Sequence, residues 1–357
     1  MLFKNRKYWL MLLIMIGIIC FVKHNYFLYK TAIVKVEKVK TVKTNIAYSE
    51  VSDKEQYYEQ TLTVRVMNGN DKGKRLNIRN VCSYSAVDNE RYKKGDDLFV
   101  SKSYGEITGV KRDWYVVLLA VVIISLLLIG AGRRGGLAIV SLALNIGIFI
   151  GAVKFHENTQ TSLLRMCMVL SLLFVIATLM IINGPNRKTG AAILATLITS
   201  ALSMAIFVGA MKLGEPIDYA ALDYIVGNED IEEIFMSGIL MAGLGAIMDV
   251  CVSMAAAIGE ILEKNINTDV KALIQSGRAV GHDIMGTMLS VLMFTYLGGL
   301  MPMLIIKMRN GESMITLFRL HIPFEVSRFL TGGIGILLAI PISLCVSIGF
   351  LKYRRKA

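Results

Sequence analysis

Eight stretches of the chain are apolar for most of 20 residues, the length an α-helix needs to cross a hydrocarbon layer. They begin near Tyr8, Trp114, Gly136, Ser162, Gly190, Ile234, Ile284 and Thr331, and end near Val22, Ala131, Val153, Ile182, Met211, Ile258, Ile306 and Phe350. The first has a short core, WLMLLIMIGIICFV after KNRK, and no small-residue cleavage site follows it. It reads as an uncleaved signal-anchor over residues 1–22. A different period occupies residues 23–113, where Leu62, Val64 and Val66, then Leu76 and Ile78, then Leu98 and Val100 alternate with polar neighbours. Such alternation predicts half-buried strands, and the turn-forming stretches NGNDKGK and KKGDD separate them. The glycines of GNDKGK lack phosphate-loop spacing, so a hairpin turn is expected there. The pattern thus predicts a mixed architecture. A mainly all-α polytopic bundle of about eight transmembrane helices, seven of them in residues 114–351, carries a small extracytoplasmic all-β domain and a basic tail at 352–357. A barrel of the oligonucleotide/oligosaccharide-binding type is one fold the strands fit.

Composition agrees with this class. With 54% hydrophobic and 18% charged residues and a mean hydropathy of +0.56, the chain lies outside ordinary soluble domains. A net charge of +12 would suggest nucleic acid in a soluble protein; here the basic residues follow membrane topology, and no nucleic-acid partner is expected. Segments expected inside hold fourteen Lys and Arg, including Arg133, Arg134, Arg187 and Lys188, against seven in the short outer segments. The positive-inside rule therefore puts both termini in the cytoplasm and residues 23–113 outside. The outer loop from Lys212 to Glu233 is acidic, with Glu215, Asp218, Asp223, Glu229, Asp230, Glu232 and Glu233. In the inner loop EKNINTDVKALIQSGRAVGHD, Val270, Leu273, Ile274 and Gly277 repeat at helical spacing after a cap at Asn267 or Thr268, predicting a helix on the inner membrane face. The β segment carries 18 Lys and Arg against 12 Asp and Glu, a solvated basic face or an attraction to anionic lipid or wall polymer. Cysteines 20, 82, 167, 251 and 345 have neither disulfide nor zinc spacing.

Two apolar runs carry acids. In GLGAIMDVCVSMAAAIGE, Gly238, Ala242, Gly245, Asp249, Ser253, Ala256 and Glu260 fall along one helical stripe, opposite Leu240, Ile247, Met248, Val250 and Met254. Small residues admit close helix approach in lipid, so Asp249 is expected to point into the bundle. It could tie helices together through hydrogen bonds, or serve as a protonation site or cation ligand on a translocation path. In GRAVGHDIMGTMLS, Asp283, Thr287 and Ser290 share a face, with Gly281 and Gly286 permitting tight packing. Asp283 fits an N-cap of the seventh span, or a second carboxylate meeting Asp249. Ala191, Ala195, Thr199 and Ser203 form a small-residue packing face on the fifth span. Pro302 and Pro341 are expected to weaken or kink their helices. Paired membrane carboxylates raise aspartyl proteolysis, but GLGAIMD is not G-x-G-D and no P-A-L tripeptide follows. G-x-S-x-G and H-E-x-x-H are absent as well. No enzymatic activity, cofactor or metal site is expected.

GLGAIMDVCVSMA, GRAVGHDIMGTM, the loop NGPNRKTGAA and a β segment preceding a multi-span region together resemble the YibE/F-like family of bacterial membrane proteins, over most of the chain from about Thr61 onward. The resemblance implies a cytoplasmic-membrane protein, and that two related members, one lacking the β domain, can occur together. It supplies no activity; it marks Gly245, Asp249, Ser253, Gly281, Asp283, Gly286 and Thr287 as motif positions. The expectation is a permease or transport component with Asp249 proton- or cation-responsive, set in the lipid bilayer and partnered by a second YibE/F-like subunit or further copies of itself. The alternative is a non-transporting scaffold whose β domain binds an envelope partner.

Overall fold

The computed structural model describes residues 6–48, 54–84, 90–101, 104–159, 161–214, 219, 230–265 and 267–353. The chain divides into two compact units, Met1–Gly132 and Arg133–Ala357.

The first unit holds α1 (Arg6–His24), a 3-10 turn (Tyr26–Leu28), β1 (Ala32–Tyr48), β2 (Lys54–Val66), β3 (Arg75–Ser83), β4 (Asp97–Val100), β5 (Ile107–Val110) and the opening stretch of α2 (Asp113–Thr159). The strands form one curled sheet in the order β3-β2-β1-β4-β5, antiparallel at every pairing. The alternation in the sequence becomes its core: Val34, Val36, Leu62, Val64, Val66, Ile78, Leu98 and Val100 are buried in one cluster. Register joins them across the sheet, Val36 opposite Val64 and Val34 opposite Leu98. A one-residue slip would turn the whole set to the other face. No ladder joins the edge strands β3 and β5 among the described residues, so the pairings do not close a barrel. The NGNDKGK stretch makes the β2–β3 hairpin, as expected. Gly69 and Gly73 take left-handed φ values of 77° and 93° there, and the Gly73 amide donates to Val66 O at 2.8 Å.

The second unit contains the rest of α2, then α3 (Leu163–Asn183), α4 (Arg187–Leu213), α5 (Ile231–Lys264), α6 (Val270–Arg309), α7 (Met314–Ile348) and a π turn (Gly349–Tyr353). Six helices, α2 to α7, are long and apolar enough to cross a membrane; the apolar part of α1 is shorter. The eight expected spans are thus not each a separate helix of membrane length among the described residues. The second and third expected spans lie within α2, where Gly132 leaves helical geometry (φ 53°, ψ −123°). A residue without Cβ adopts that φ at little cost, which lets helical structure resume at once.

Three further expectations change for one reason, that the helices run farther than their apolar cores. The helix predicted on the inner membrane face is the first two turns of α6, whose N-cap is Asp269 rather than Asn267 or Thr268. Asp283 therefore lies more than three turns inside α6 and is no cap. The outer segment before the last span shrinks to the few residues between Arg309 and Met314. Pro302 in α6 and Pro323 and Pro341 in α7 sit inside continuous helices. Glu215, Asp218, Asp223 and Glu229 of the acidic loop, Lys4, and the tail beyond 353 lie outside the described residues.

Helix α5 is the hub of this unit, packing on α3, α4, α6 and α7. Ile247, Val250, Cys251, Met254 and Ile258 are buried in its main core with Ala195, Leu273, Leu292, Ile336 and Ala339. Between lipid-facing helices hydrophobicity gives no net pull, so close backbone approach and interlocking side chains hold them. A Cβ placed on Gly243 of α5 would stand 3.2 Å from the Gly332 Cα of α7. One on Gly277 of α6 would meet Leu344 Cδ2 at 2.2 Å, and one on Gly281 would meet Ile340 Cγ2 at 2.6 Å.

Candidate functional site

The side of α5 that the fold buries is its apolar side. Gly245 and Asp249 are exposed, Gly238, Ala242, Ser253 and Ala256 are half-buried, and Glu260 is exposed. The stripe expected to face inward is thus not the buried side of α5, and its middle, Gly245 and Asp249, is exposed. The physical reason is that large branched side chains gain more dispersion contact than a stripe of small ones, and they took the inner positions. Gly281 is buried, with Ile340 where a Cβ would stand, and a Cβ on Gly238 would lie 3.6 Å from the Arg328 side chain. Gly245 and Gly286 have nothing within 4 Å of their would-be Cβ positions, so neither packs a helix within the chain. Glycines that do, among them Gly243, Gly259, Gly277, Gly332, Gly333 and Gly335, stood outside the expected set. Their signal would have been pairing between helices, which one helix at a time does not display.

On α6, Asp283, Gly286, Thr287 and Ser290 lie together on an exposed face. Both hydroxyls turn back on their own helix, Thr287 Oγ1 donating to Ile284 O at 2.8 Å and Ser290 Oγ to Gly286 O at 2.9 Å. Among the described residues no hydrogen bond or ion pair joins Asp249 to Asp283, Thr287 or Ser290, the partners expected to lower its cost. Two carboxylates therefore stand on exposed faces of membrane-length helices with no hydrogen-bond or ion-pair partner among the described residues.

Inside the unit, polarity is supplied by hydroxyls. Thr196, Thr199, Ser203 and Ser343 are fully or almost fully buried. Ser203 Oγ donates to Thr331 O of α7 at 3.1 Å, and Thr196 Oγ1 to Ala192 O at 2.8 Å. The small-residue face of α4 is thus a packing face, as expected. Where α4, α5 and α7 meet, Ser200, Ser203, Thr331, Gly243 and Gly332 line a cavity of about 10 Å³. That is the size of one water, not a passage.

The first unit carries a second polar cluster, which no spacing or motif in the sequence singles out. Lys111 is buried, its ammonium donating to Val22 O at the end of α1 (2.8 Å) and pairing with Asp113 Oδ1 (2.9 Å). Tyr29 OH donates to Asp113 Oδ2 at 2.6 Å and Tyr26 OH to Asp97 Oδ2 at 3.0 Å. Burial, then the neighbouring Asp97 charge, pushes the Tyr26 hydroxyl well above its ordinary value. Burial also raises the Asp97 carboxyl, against the opposing pull of its Tyr26 hydrogen bond, Lys35 and Lys111. Deeper in the sheet, buried Gln60 is fully engaged. Its Oε1 accepts from Asn80 Nδ2 (3.1 Å) and the Tyr92 amide (3.0 Å), and its Nε2 donates to Tyr92 O (3.0 Å). These networks fix the sheet. Among the described residues no group of three or more His, Cys, Asp or Glu is placed to hold a metal.

Six apolar helices of membrane length among the described residues, together with a small antiparallel sheet, mark a multi-pass membrane protein. The family model for YibE/F-like protein matches residues 119–353, and that for the YibE/F family N-terminal domain matches residues 27–112. The chain belongs to the YibE/F-like family, and the match takes in the whole sheet rather than starting near Thr61. No curated protein and no solved structure matches the chain.

Proposed function

We propose that the chain is a component of a membrane permease, with eight crossings, both termini in the cytoplasm and the sheet outside, in which Asp249 responds to a proton or cation. In this arrangement α1 and the two helical stretches of α2 make three of the crossings. The observation that carries the proposal is the exposure of Asp249 and Asp283 on small or polar faces of α5 and α6, with no hydrogen-bond or ion-pair partner among the described residues. A carboxylate facing hydrocarbon costs about 2.5–3.5 kcal/mol, so such a face is expected to meet water or a second subunit. A second copy or a related family member would close the pathway along these faces. In sealed vesicles holding the full-length protein, wild type is expected to collapse an imposed proton or sodium gradient, and Asp249→Asn to abolish that flux at equal incorporation. Equal flux from Asp249→Asn refutes the role of Asp249.

The exposure of Gly245 and Gly286 also favours a second reading, a non-transporting scaffold whose outer helix faces and sheet bind envelope partners. It predicts no flux from wild type, together with loss of cross-linked partner when Asp249 or Gly245 is changed.

A further inference from the structure

At the start of α4, one turn from the end of α3, lies a polar cavity of about 370 Å³ that the transport proposal does not use. Arg134, Asn183, Asn186, Lys188, Thr189 and Glu260 supply its polar wall. Asn186 caps α4 by accepting the Thr189 amide at 2.8 Å, while the Lys188 amide has no capping acceptor among the described residues. The positive end of a 27-residue helix therefore opens here. Helix starts of this kind suit oxyanions, but the fold adds a more specific sign. Thr189 is buried to 2% exposure, lines the cavity, and its Oγ1 has no hydrogen-bond partner. A buried hydroxyl left unpaired is costly, and an oxyanion in the cavity would satisfy it.

Lys188 is held in place by a gap cut for it. Its stem runs over Gly259 of α5 so closely that a Cβ there would stand 2.4 Å from Lys188 Cε. Its ammonium reaches Glu263 at 3.0 Å, on the rim of an adjoining cavity that shares Asn186 and Lys188. That pair is substantially exposed and so weak enough to be exchanged for a stronger anion. The one carboxylate in the polar wall, Glu260, is outweighed by Arg134 and Lys188. The remaining wall, Ile182, Ala192, Val252, Ala255 and Ala256, is apolar and suits the neck of an amphiphile.

We infer that this cavity binds a phosphate group, held by the Lys188 and Arg134 cations, the start of α4 and the Thr189 hydroxyl. The phosphate would come from an anionic lipid headgroup or from a free phosphate. The inference is independent of transport. Full-length protein in neutral detergent is titrated with soluble dihexanoyl phosphatidylglycerol in one arm and inorganic phosphate in the other. Bound adducts are read by native mass spectrometry and stabilisation by the thermal midpoint. Lys188→Gln is expected to weaken binding about tenfold and Thr189→Val several-fold, as loss of a charged or charge-assisted contact does. Gly259→Ala, which displaces the Lys188 stem, should behave like Lys188→Gln. Lys271→Gln, a basic residue near the start of α6 outside the cavity, should bind as wild type. Binding of the lipid alone supports a headgroup site, and binding of phosphate alone a solute site. No binding in either arm, wild-type affinity in both Lys188→Gln and Thr189→Val, or an equal loss in Lys271→Gln overturns the inference.

Discussion

Lys111→Met tests whether a buried ion fastens the sheet to its flanking helix. The lysine side chain is 1% exposed and keeps two charge-assisted contacts, to Val22 O at 2.8 Å and to Asp113 at 2.9 Å. Its ammonium also sits 5.5 Å from the ring centres of both Tyr26 and Tyr29. Methionine keeps most of the stem volume and removes the charge. Removing one partner of a buried pair costs about 3–5 kcal/mol, because the other is left uncompensated. Here Asp113 is 25% exposed and retains the Tyr29 hydroxyl and the Trp114 amide, so water and those donors recover part of the loss. The expected destabilisation is therefore about 2–3 kcal/mol, between a single charged hydrogen bond and a fully buried pair. At a urea dependence of about 1–2 kcal/mol per molar for a unit of this size, the midpoint should fall by roughly 1–2 M. The buried, unpaired Cys82 of β3 gives a local reporter. In full-length protein with Cys20 and Cys345 changed to serine, maleimide labelling of Cys82 against urea follows opening of the sheet. An unchanged or higher midpoint in Lys111→Met would refute the reasoning and show that an apolar side chain serves this position as well as the ion does.

Three further outcomes follow from the geometry. The Asp97 carboxyl has its folded pKa above the ordinary value, so the folded sheet binds the extra proton and stability falls as pH rises through that window. Asp97→Asn should flatten this fall and raise the Cys82 labelling midpoint at pH 7; an unaltered pH profile would show that Asp97 is not its source. Gly243→Leu should cost about 1–3 kcal/mol in detergent thermal stability, because its side chain meets the Gly332 backbone of α7. Gly245→Leu, with open space at its Cβ, should leave the single chain as stable as wild type, and equal losses from the two would contradict the packing described. Gln60→Leu leaves the Tyr92 amide unpaired in the sheet core and takes one of two acceptors from Asn80 Nδ2, which keeps Glu90 O, and should destabilise the sheet by about 1–3 kcal/mol, read as a lower urea midpoint by the same labelling.

The strands were legible where alternation was clean and the helices where apolar runs were long, but β1 was not picked out although it is central to the sheet. Its pairing with β2 shifts register between Val36 and Lys38, and that bulge breaks the period of two on which recognition depends. The break at Gly132 was legible, because Arg133 and Arg134 interrupt the apolar run between Ala131 and Gly136, but the sequence does not display that one non-helical residue makes it rather than a loop. The inward face of α5 failed for a deeper cause. In water the buried side of a helix is the apolar side, but Val291, Phe294 and Leu297 of α6 are as apolar as the core and still exposed. Hydropathy along a membrane-length helix therefore says that it can span, and little about which way it turns. Small residues were the only remaining guide, and they mark contact without saying with what. Gly243 and Gly259 make theirs within the chain, whereas Gly245 and Gly286 do not. Two outward carboxylates at about 2.5–3.5 kcal/mol each would approach the whole stability of a small domain. Under the permease proposal a covering of water or protein along α5 and α6 would therefore belong to the thermodynamics of the folded protein, and the flux of Asp249→Asn is to be compared with wild type at equal assembly state.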